Sequence, residues 1–245
     1  MRMTRLFVEI TLRPACEVAL PAAAAAHAVR VLRLKPGDAV TLFNGDGNEY
    51  PARLITSATR EVRIAIESFA APARESPLRI TLVQAIARGE KMDWIIQKAT
   101  ELGASRITPV STERSEVRLD PARGNRRLEH WRAVAIAACE QCGRNVLPHI
   151  DAPAEIGAWI GDNAAPDPAV CWMLCPGGGA RLRDLKLEPG ALTLAVGPEG
   201  GFGEGDLAVL RGQGFRELAL GPRILRTETA GIAALAALQA LYGDG

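Results

Sequence analysis

Two stretches near the C-terminus carry the residues best suited to chemistry. Residues 195–202 read Ala-Val-Gly-Pro-Glu-Gly-Gly-Phe and residues 220–230 read Leu-Gly-Pro-Arg-Ile-Leu-Arg-Thr-Glu-Thr-Ala. Each closes a short apolar run with a Gly-Pro turn, which is how a buried strand of a parallel sheet hands its chain to the carboxyl edge, where α/β folds bind ligands. A third run ends at Leu174 and feeds Cys175-Pro176-Gly177-Gly178-Gly179. Glycine in such loops lets backbone N–H and C=O groups approach a ligand closely. The phosphate-cradling pattern GxxxxGK[ST] is absent and GxGxxG after a strand is not matched; Glu199 puts a carboxylate where a pyrophosphate would sit. A nucleoside triphosphate or dinucleotide is therefore disfavoured. A ligand with an adenine edge, a ribose and a positive centre suits these backbone loops better.

The elements that must position these loops follow from periodicity. From residue 78 onward strand and helix patterns alternate: strands over 78–85, 106–110, 169–174, 191–196 and 215–220, and helices over 90–103, 121–143, 153–160, 205–213 and 230–242. In the helix of 90–103, Met92, Ile95, Ile96, Ala99 and Leu102 follow i, i+3, i+4, i+7 and the pattern stops at Gly103. Asp120-Pro121 reads as an N-cap and first helical residue. Such alternation predicts a mostly parallel α/β domain. If the strands ending at Leu174, Val196 and Leu220 are parallel neighbours, all three glycine loops lie at one sheet edge. The last helix is nearly all small or apolar, so it must bury more than one side, in the core or against a second subunit.

The first part of the chain differs. An alanine-rich helical pattern over 21–34 is followed by short β-like runs at 39–43, 50–55 and 62–66 with turn-rich separators, which predicts a small β-barrel. Residues 72–77, with two prolines and no apolar periodicity, read as a linker between a domain of 1–71 and one of 78–245.

Bulk properties agree with a globular chain: 245 residues, 48% hydrophobic, 23% charged and net +1. No stretch has the roughly 18 apolar residues of a membrane span, and the start lacks the apolar core of a signal peptide, so a cytoplasmic location is expected. Residues 1–74 hold 10 basic against 7 acidic side chains, 75–150 hold 12 against 9, and 151–245 hold 7 against 12. A basic first two-thirds is compatible with a polyanionic partner. The five cysteines are odd in number and scattered, which fits a reducing compartment. Cys139 and Cys142 fall in a helical pattern and Cys171 and Cys175 in or beside a strand, whereas zinc thiolates sit on tight turns; no metal is expected.

With these residues in view, the two loops resemble the signature loops of the SPOUT superfamily, in its 16S ribosomal RNA (uracil-N3) methyltransferase branch. Gly89-Glu90-Lys91-Met92, residues 97–103 (Gln-Lys-Ala-Thr-Glu-Leu-Gly) and residues 139–145 (Cys-Glu-Gln-Cys-Gly-Arg-Asn) are similar too, as are Arg2, Arg5, Val31-Leu32-Arg33 and Phe43-Asn44-Gly45. The likeness spans almost the whole chain. It implies a PUA-like N-terminal barrel that docks RNA, a C-terminal α/β domain with a deep trefoil knot, bound S-adenosylmethionine, a homodimer, and 16S ribosomal RNA of the small subunit as partner. Carried over, the cofactor pocket is Leu174, Gly197, Glu199, Gly200, Leu220, Gly221, Ile224, Leu225 and Arg226; the 175–179 loop departs most from the pattern.

Methylating uracil N3 requires that its proton leave before or as N3 attacks a sulfonium methyl. The site then needs a proton acceptor, or a cation on the flanking oxygens. Arg226 is the candidate cation, and Glu199 or Glu228 the candidate base, although Glu228 can equally cap the last helix and Glu199 organise its turn. RNA contact falls to Arg2, Arg5, Arg30, Arg33 and Lys35 in the first domain and Arg88, Lys91, Arg114 and Arg144 near the second. Two other readings compete: a non-catalytic RNA-binding assembly factor that uses the second domain to dimerise, and a redox or zinc protein organised on the cysteines.

Overall fold

Where the sequence changes period, the structure changes architecture. The computed structural model describes residues 4–58, 61–117, 121–162, 170–187 and 190–245. Arg2 and Asp120 lie outside the described residues. The chain forms two units, one of Met1–Glu75 with Ile136–Leu147, the other of Ser76–Ala135 with Pro148–Gly245.

In the first unit, strands β1 (Arg5–Phe7), β2 (Cys16–Ala19), β3 (Ala39–Phe43), β4 (Tyr50–Ala58) and β5 (Glu61–Ile66) form one sheet in the order β1-β3-β4-β5-β2. β1 runs parallel to β3 and the other pairs are antiparallel. Alternation sets the faces: Val62, Ile64 and Ile66 of β5 point inward, with exposed or half-buried residues between. They join Leu6, Val40, Leu42, Leu54 and Ala28 in one core. The expected helix of 21–34 is shorter: α1 covers Ala22–Ala26, then widens into a π turn over His27–Val31, and Arg33 sits at φ 55°.

Residues 136–147 belong to this unit because their polar groups complete its interior. The Phe7 amide donates to Glu140 at 3.0 Å, the Asn145 side-chain oxygen accepts from Arg5 at 2.5 Å, and Arg144 pairs with Glu75 at 2.6 Å.

The second unit is a parallel sheet built from β6 (Arg79–Ala85), β7 (Ala104–Ser111), β8 (His149–Ile150), β9 (Ala154–Glu155), β10 (Cys171–Leu174), β11 (Ala180–Arg181), β12 (Ala191–Val196) and β13 (Arg216–Ala219). Their order is β11-β13-β10-β12-β6-β7-β8, with β9 added on β7. Helices α2 (Lys91–Glu101), α3 (Pro121–Cys142), α4 (Ile156–Asp162), α5 (Glu204–Gly212) and α6 (Thr227–Tyr242) intervene. The helix expected at 153–160 begins three residues later. Ala154 and Glu155 pair with β7 first, and the Glu155 carboxylate then accepts the Ala158 amide at 3.0 Å, capping α4.

Met92, Ile95, Ile96 and Ala99 of α2 are fully buried, as their spacing requires. On α6, Gly231, Ala234, Leu235, Leu238 and Gln239 form the buried stripe, while Leu241 is 53% exposed, so within this chain the helix buries one side only. Gln239 is anchored at both ends of its amide, accepting from Ser76 at 2.6 Å and donating to the Leu102 carbonyl at 3.1 Å. Among the described residues no helix is long and apolar enough to cross a membrane.

Candidate active site

Register brings the three glycine loops together. β10 is parallel to β12 on one side and to β13 on the other, with Met173 opposite Ala195 and Leu174 opposite Leu218, so all three strands release their chains at the same edge. β6 lies on the far side of β12 with Gln84 opposite Val196. Between these strand ends and α6 is a cavity of about 650 Å³. Of the nine residues expected to hold a cofactor, Leu174, Gly197, Glu199, Leu220, Gly221, Ile224, Leu225 and Arg226 line it. Gly200 is not in the lining: its carbonyl accepts from Arg114 at 3.0 Å, and Arg114 takes a place in the wall.

Each loop is shaped by its own sequence. Gly201 closes a turn back onto the Pro198 carbonyl at 2.9 Å and holds φ 69°, a left-handed conformation that glycine adopts without strain. A Cβ on Gly197 would meet the Phe202 amide at 3.1 Å, so the strand can fold over its own loop only without a side chain there. Just beyond, buried Asp206 accepts the Gly203 amide at 2.8 Å and the Glu113 amide at 3.2 Å, capping α5 and tying the loop after β7 to it.

The start of α6 is fixed by two buried polar residues that periodicity did not single out. The Gln84 amide donates to the Thr227 hydroxyl at 3.0 Å, and that hydroxyl donates to the Gly197 carbonyl at 2.6 Å. Gln84 is fully buried and Thr227 is 4% exposed. This relay joins β6, the loop after β12 and the first turn of α6. A lone glutamine inside the apolar run of β6 is the signal that could have pointed to it.

Charge around the cavity is divided. Lys91, at the first position of α2, reaches Glu199 at 3.2 Å and Glu228 at 3.4 Å. Burial alone would raise the Glu199 carboxyl, yet backbone amides of Glu199 and Arg88 together with the Lys91 ammonium hold it below its usual range. Glu228 is not among the lining residues, and its Oε2 is buried without a hydrogen-bond partner. Arg226 is the N-cap of α6, with its carbonyl accepting the Thr229 and Ala230 amides. Its guanidinium has no partner among the described residues and faces the cavity rim with Arg223.

Against this geometry the comparisons are informative. Residues 74–239 match the model of an RNA methyltransferase domain, and residues 20–67 that of an RNA methyltransferase PUA domain. The ribosomal RNA small subunit methyltransferase E of Buchnera aphidicola from Acyrthosiphon pisum is 33% identical over 89% of this chain and 85% of its own length. The chain belongs to the ribosomal RNA small subunit methyltransferase E family. Its α/β domain and PUA domain are those of that family. Two solved relatives are similar along nearly their whole length. A Legionella pneumophila methyltransferase in complex with S-adenosylmethionine is 38% identical with a TM-score of 0.94, covering 100% of both chains. A Neisseria gonorrhoeae ribosomal RNA small subunit methyltransferase E bound to S-adenosylmethionine is 37% identical with a TM-score of 0.90, covering 99% of both.

In this chain the basic residues expected at RNA separate into groups. Arg30, Arg33 and Lys35 are exposed around the end of the first helix, beside Val31 at 65% exposure. Arg88 is exposed but paired with Glu116 at 2.7 Å, and Lys91 and Arg114 serve the cavity loops. Arg5 and Arg144 need correction. The Arg5 guanidinium is 10% exposed, pairs with Glu49 at 2.6 Å, donates to Asn145 and lies over the Phe43 ring. Arg144 is 6% exposed and pairs with Glu75. Both are engaged within the first unit, by Glu49 and Asn145 and by Glu75 respectively. The cysteines are free; Cys139 is buried, and burial pushes its thiol up to about 12. Among the described residues no group of three or more His, Cys, Asp or Glu side chains is placed to hold a metal.

Proposed function

We propose that this chain transfers the methyl group of S-adenosylmethionine to N3 of a uridine in 16S ribosomal RNA of the small subunit. The observation that carries the reading is the cavity: loops from three adjacent parallel strands enclose a small-molecule volume, and at its rim stands Arg226, whose guanidinium has no partner among the described residues. Small-molecule sites commonly span roughly 300–1,000 Å³. The residues present fit this cofactor. Leu174, Leu220 and Leu225 offer an apolar bed for an adenine, backbone groups of Gly197 and Gly221 are open to a ribose, and the ionised Glu199 suits a positive centre rather than a phosphate.

Bound there, S-adenosylmethionine supplies an electrophilic sulfonium methyl. The rest falls to the protein's own side chains. Arg226 presents a planar fork to uracil O2 or O4 and stabilises the anion that develops as N3 loses its proton. Glu199 lines the cavity and is the acceptor for that proton. Because Lys91 and backbone amides favour its ionised form, it accepts in concert with charge stabilisation by Arg226 rather than ahead of it. Glu228 stands outside the lining on the same ammonium and holds Lys91 in place.

Residues 1–71, completed by 136–147, act as a PUA-like barrel that docks RNA through Arg30, Arg33 and Lys35, and the rest of 78–245 acts as the methyl-transfer domain. The order β12-β10-β13, in which the strand last in sequence lies against β10, supports a deep trefoil knot of the SPOUT kind. The outward side of α6, with Ala236, Ala240 and Leu241 exposed, supports burial against a second copy in a homodimer, working in the cytoplasm on ribosomal subunits. Titration calorimetry with S-adenosylmethionine, then mass mapping of RNA from treated small subunits, tests the whole reading. Cofactor binding with one N3-methylated uridine is expected; RNA binding without cofactor binding would leave an assembly factor instead.

A further inference from the structure

The loop between β13 and α6 ends in three residues of distinct character that share the cavity rim. Arg223, Ile224 and Arg226 all line the cavity. Ile224 is 82% exposed, the highest value among the large apolar side chains described, while its neighbour Leu225 is half-buried. Pro222 fixes one backbone angle near the start of the segment, and at its end Thr227 is bonded to Gly197 and Gln84. Single exposed apolar side chains are common on protein surfaces, and what marks this one is its place on the rim of the cavity. Its two arginine neighbours are open, as are the exposed Arg30 and Arg33, which also have no carboxylate partner among the described residues. Arg5, Arg53, Arg63, Arg74, Arg88, Arg106, Arg144 and Arg211 each pair with a carboxylate, whereas Arg223 and Arg226 have no such partner among the described residues. An apolar tip between two open guanidinia matches a polyanion whose interior is apolar and stacked.

We propose that Ile224 is a wedge for RNA: it enters the base stack where the target uridine leaves, while Arg223 grips a neighbouring phosphate and Arg226 meets the extruded uracil in the cavity. The inference rests on the uridine-methylating reading. N3 lies on the pairing edge of uracil and is shielded within folded RNA, so the nucleotide has to be turned out before it can occupy a pocket. Apolar side chains that fill the vacated step lower the cost of holding it open.

The test compares parent, Ile224→Ala, Ile224→Leu and Arg223→Ala chains on small subunits that lack the methyl mark. S-adenosylmethionine affinity is measured without RNA, and molar mass by light scattering. Ile224→Ala is expected to lose roughly tenfold or more in kcat/KM, with Ile224→Leu recovering most of it and cofactor affinity and mass unchanged. Arg223→Ala is expected to weaken RNA binding and reduce the salt slope of log K by about 0.7, one single-strand phosphate contact. Turnover of Ile224→Ala within about twofold of the parent overturns the proposal. So does a loss explained by weaker cofactor binding or by a changed mass, which would make Ile224 a cofactor cover or a subunit contact. Absence of methylation by the parent chain itself refutes the uridine reading and the wedge with it.

Discussion

The relay Gln84–Thr227–Gly197 offers the sharpest test of how the cavity is held. Thr227→Val keeps the shape of the side chain and removes only the hydroxyl. In the parent that hydroxyl accepts from Gln84 at 3.0 Å and donates to the Gly197 carbonyl at 2.6 Å. After the change the Gln84 amide keeps its bond to the Ala85 carbonyl at 2.9 Å, but the Gly197 carbonyl loses its donor, and Gln84 Oε1 is already without a partner. A buried polar group left unpaired costs about 1–3 kcal/mol. At about 2 kcal/mol, and about 2–4 °C per kcal/mol for a chain of this size, Tm should fall by about 4–8 °C. Because Gly197 lines the cavity, S-adenosylmethionine should bind more weakly as well, whereas Thr227→Ser should resemble the parent in both respects. Thermal melts followed by circular dichroism, with parallel calorimetric titrations, measure the two effects. A Thr227→Val Tm within about 1 °C of the parent, with unaltered cofactor affinity, would refute the claim that this relay sets the loop.

Arg226→Ala should reduce kcat by about 10²–10³ while leaving cofactor affinity nearly intact, with Arg226→Lys failing to restore it; single-turnover methylation assays separate these steps. Asp151 gains less from burial than it loses, since burial raises its carboxyl but Arg106 (2.7 Å) and Thr108 (2.5 Å) hold it below its ordinary 3.8. A depressed folded value means that its stabilisation is complete above pH 3.8 and fades as pH falls through the lower folded value, so Asp151→Asn should flatten the acid limb of urea midpoints below pH 4. Cys139, pushed up to about 12, should resist a thiol reagent at pH 8 in the native protein and react once urea unfolds the chain, as read by absorbance. Charge reversal at Arg30 and Arg33 should weaken RNA binding and flatten its salt dependence, whereas Arg5→Ala should lower Tm instead, because Arg5 is held among Glu49, Asn145 and Phe43.

Much of this was readable from sequence because it depends on local pattern. The runs ending at Leu174 and Val196 became adjacent parallel strands because both are largely apolar, as burial on both faces requires, whereas β13 carries Arg216 and Glu217 and buries Leu218 alone. The face of α2 followed from the spacing of Met92, Ile95, Ile96 and Ala99. What pattern does not encode is the partner of a polar side chain. Arg5 and Arg144 look like Arg30 and Arg33 in sequence, yet Glu49 and Glu75 make the first pair structural. Thr227 lies one residue from Arg226 and carries no signal of its own, since its value depends on Gln84, 143 positions away. Glu155 likewise capped α4 rather than extending it, a choice decided by the pairing of Ala154 with Val110.

The return of residues 136–147 to the first unit bears on how this molecule can be taken apart. The chain passes from one unit to the other three times, after Glu75, after Ala135 and after Leu147. A peptide ending at the proline-rich linker therefore lacks Glu140, Arg144 and Asn145, and leaves the Phe7 amide, Glu75 and part of the Arg5 guanidinium without their partners. A single nick in that linker, by contrast, severs the covalent thread while every one of those contacts persists. The two fragments should then copurify as a complemented pair, which makes the linker the place to split the gene and neither fragment a substitute for the whole.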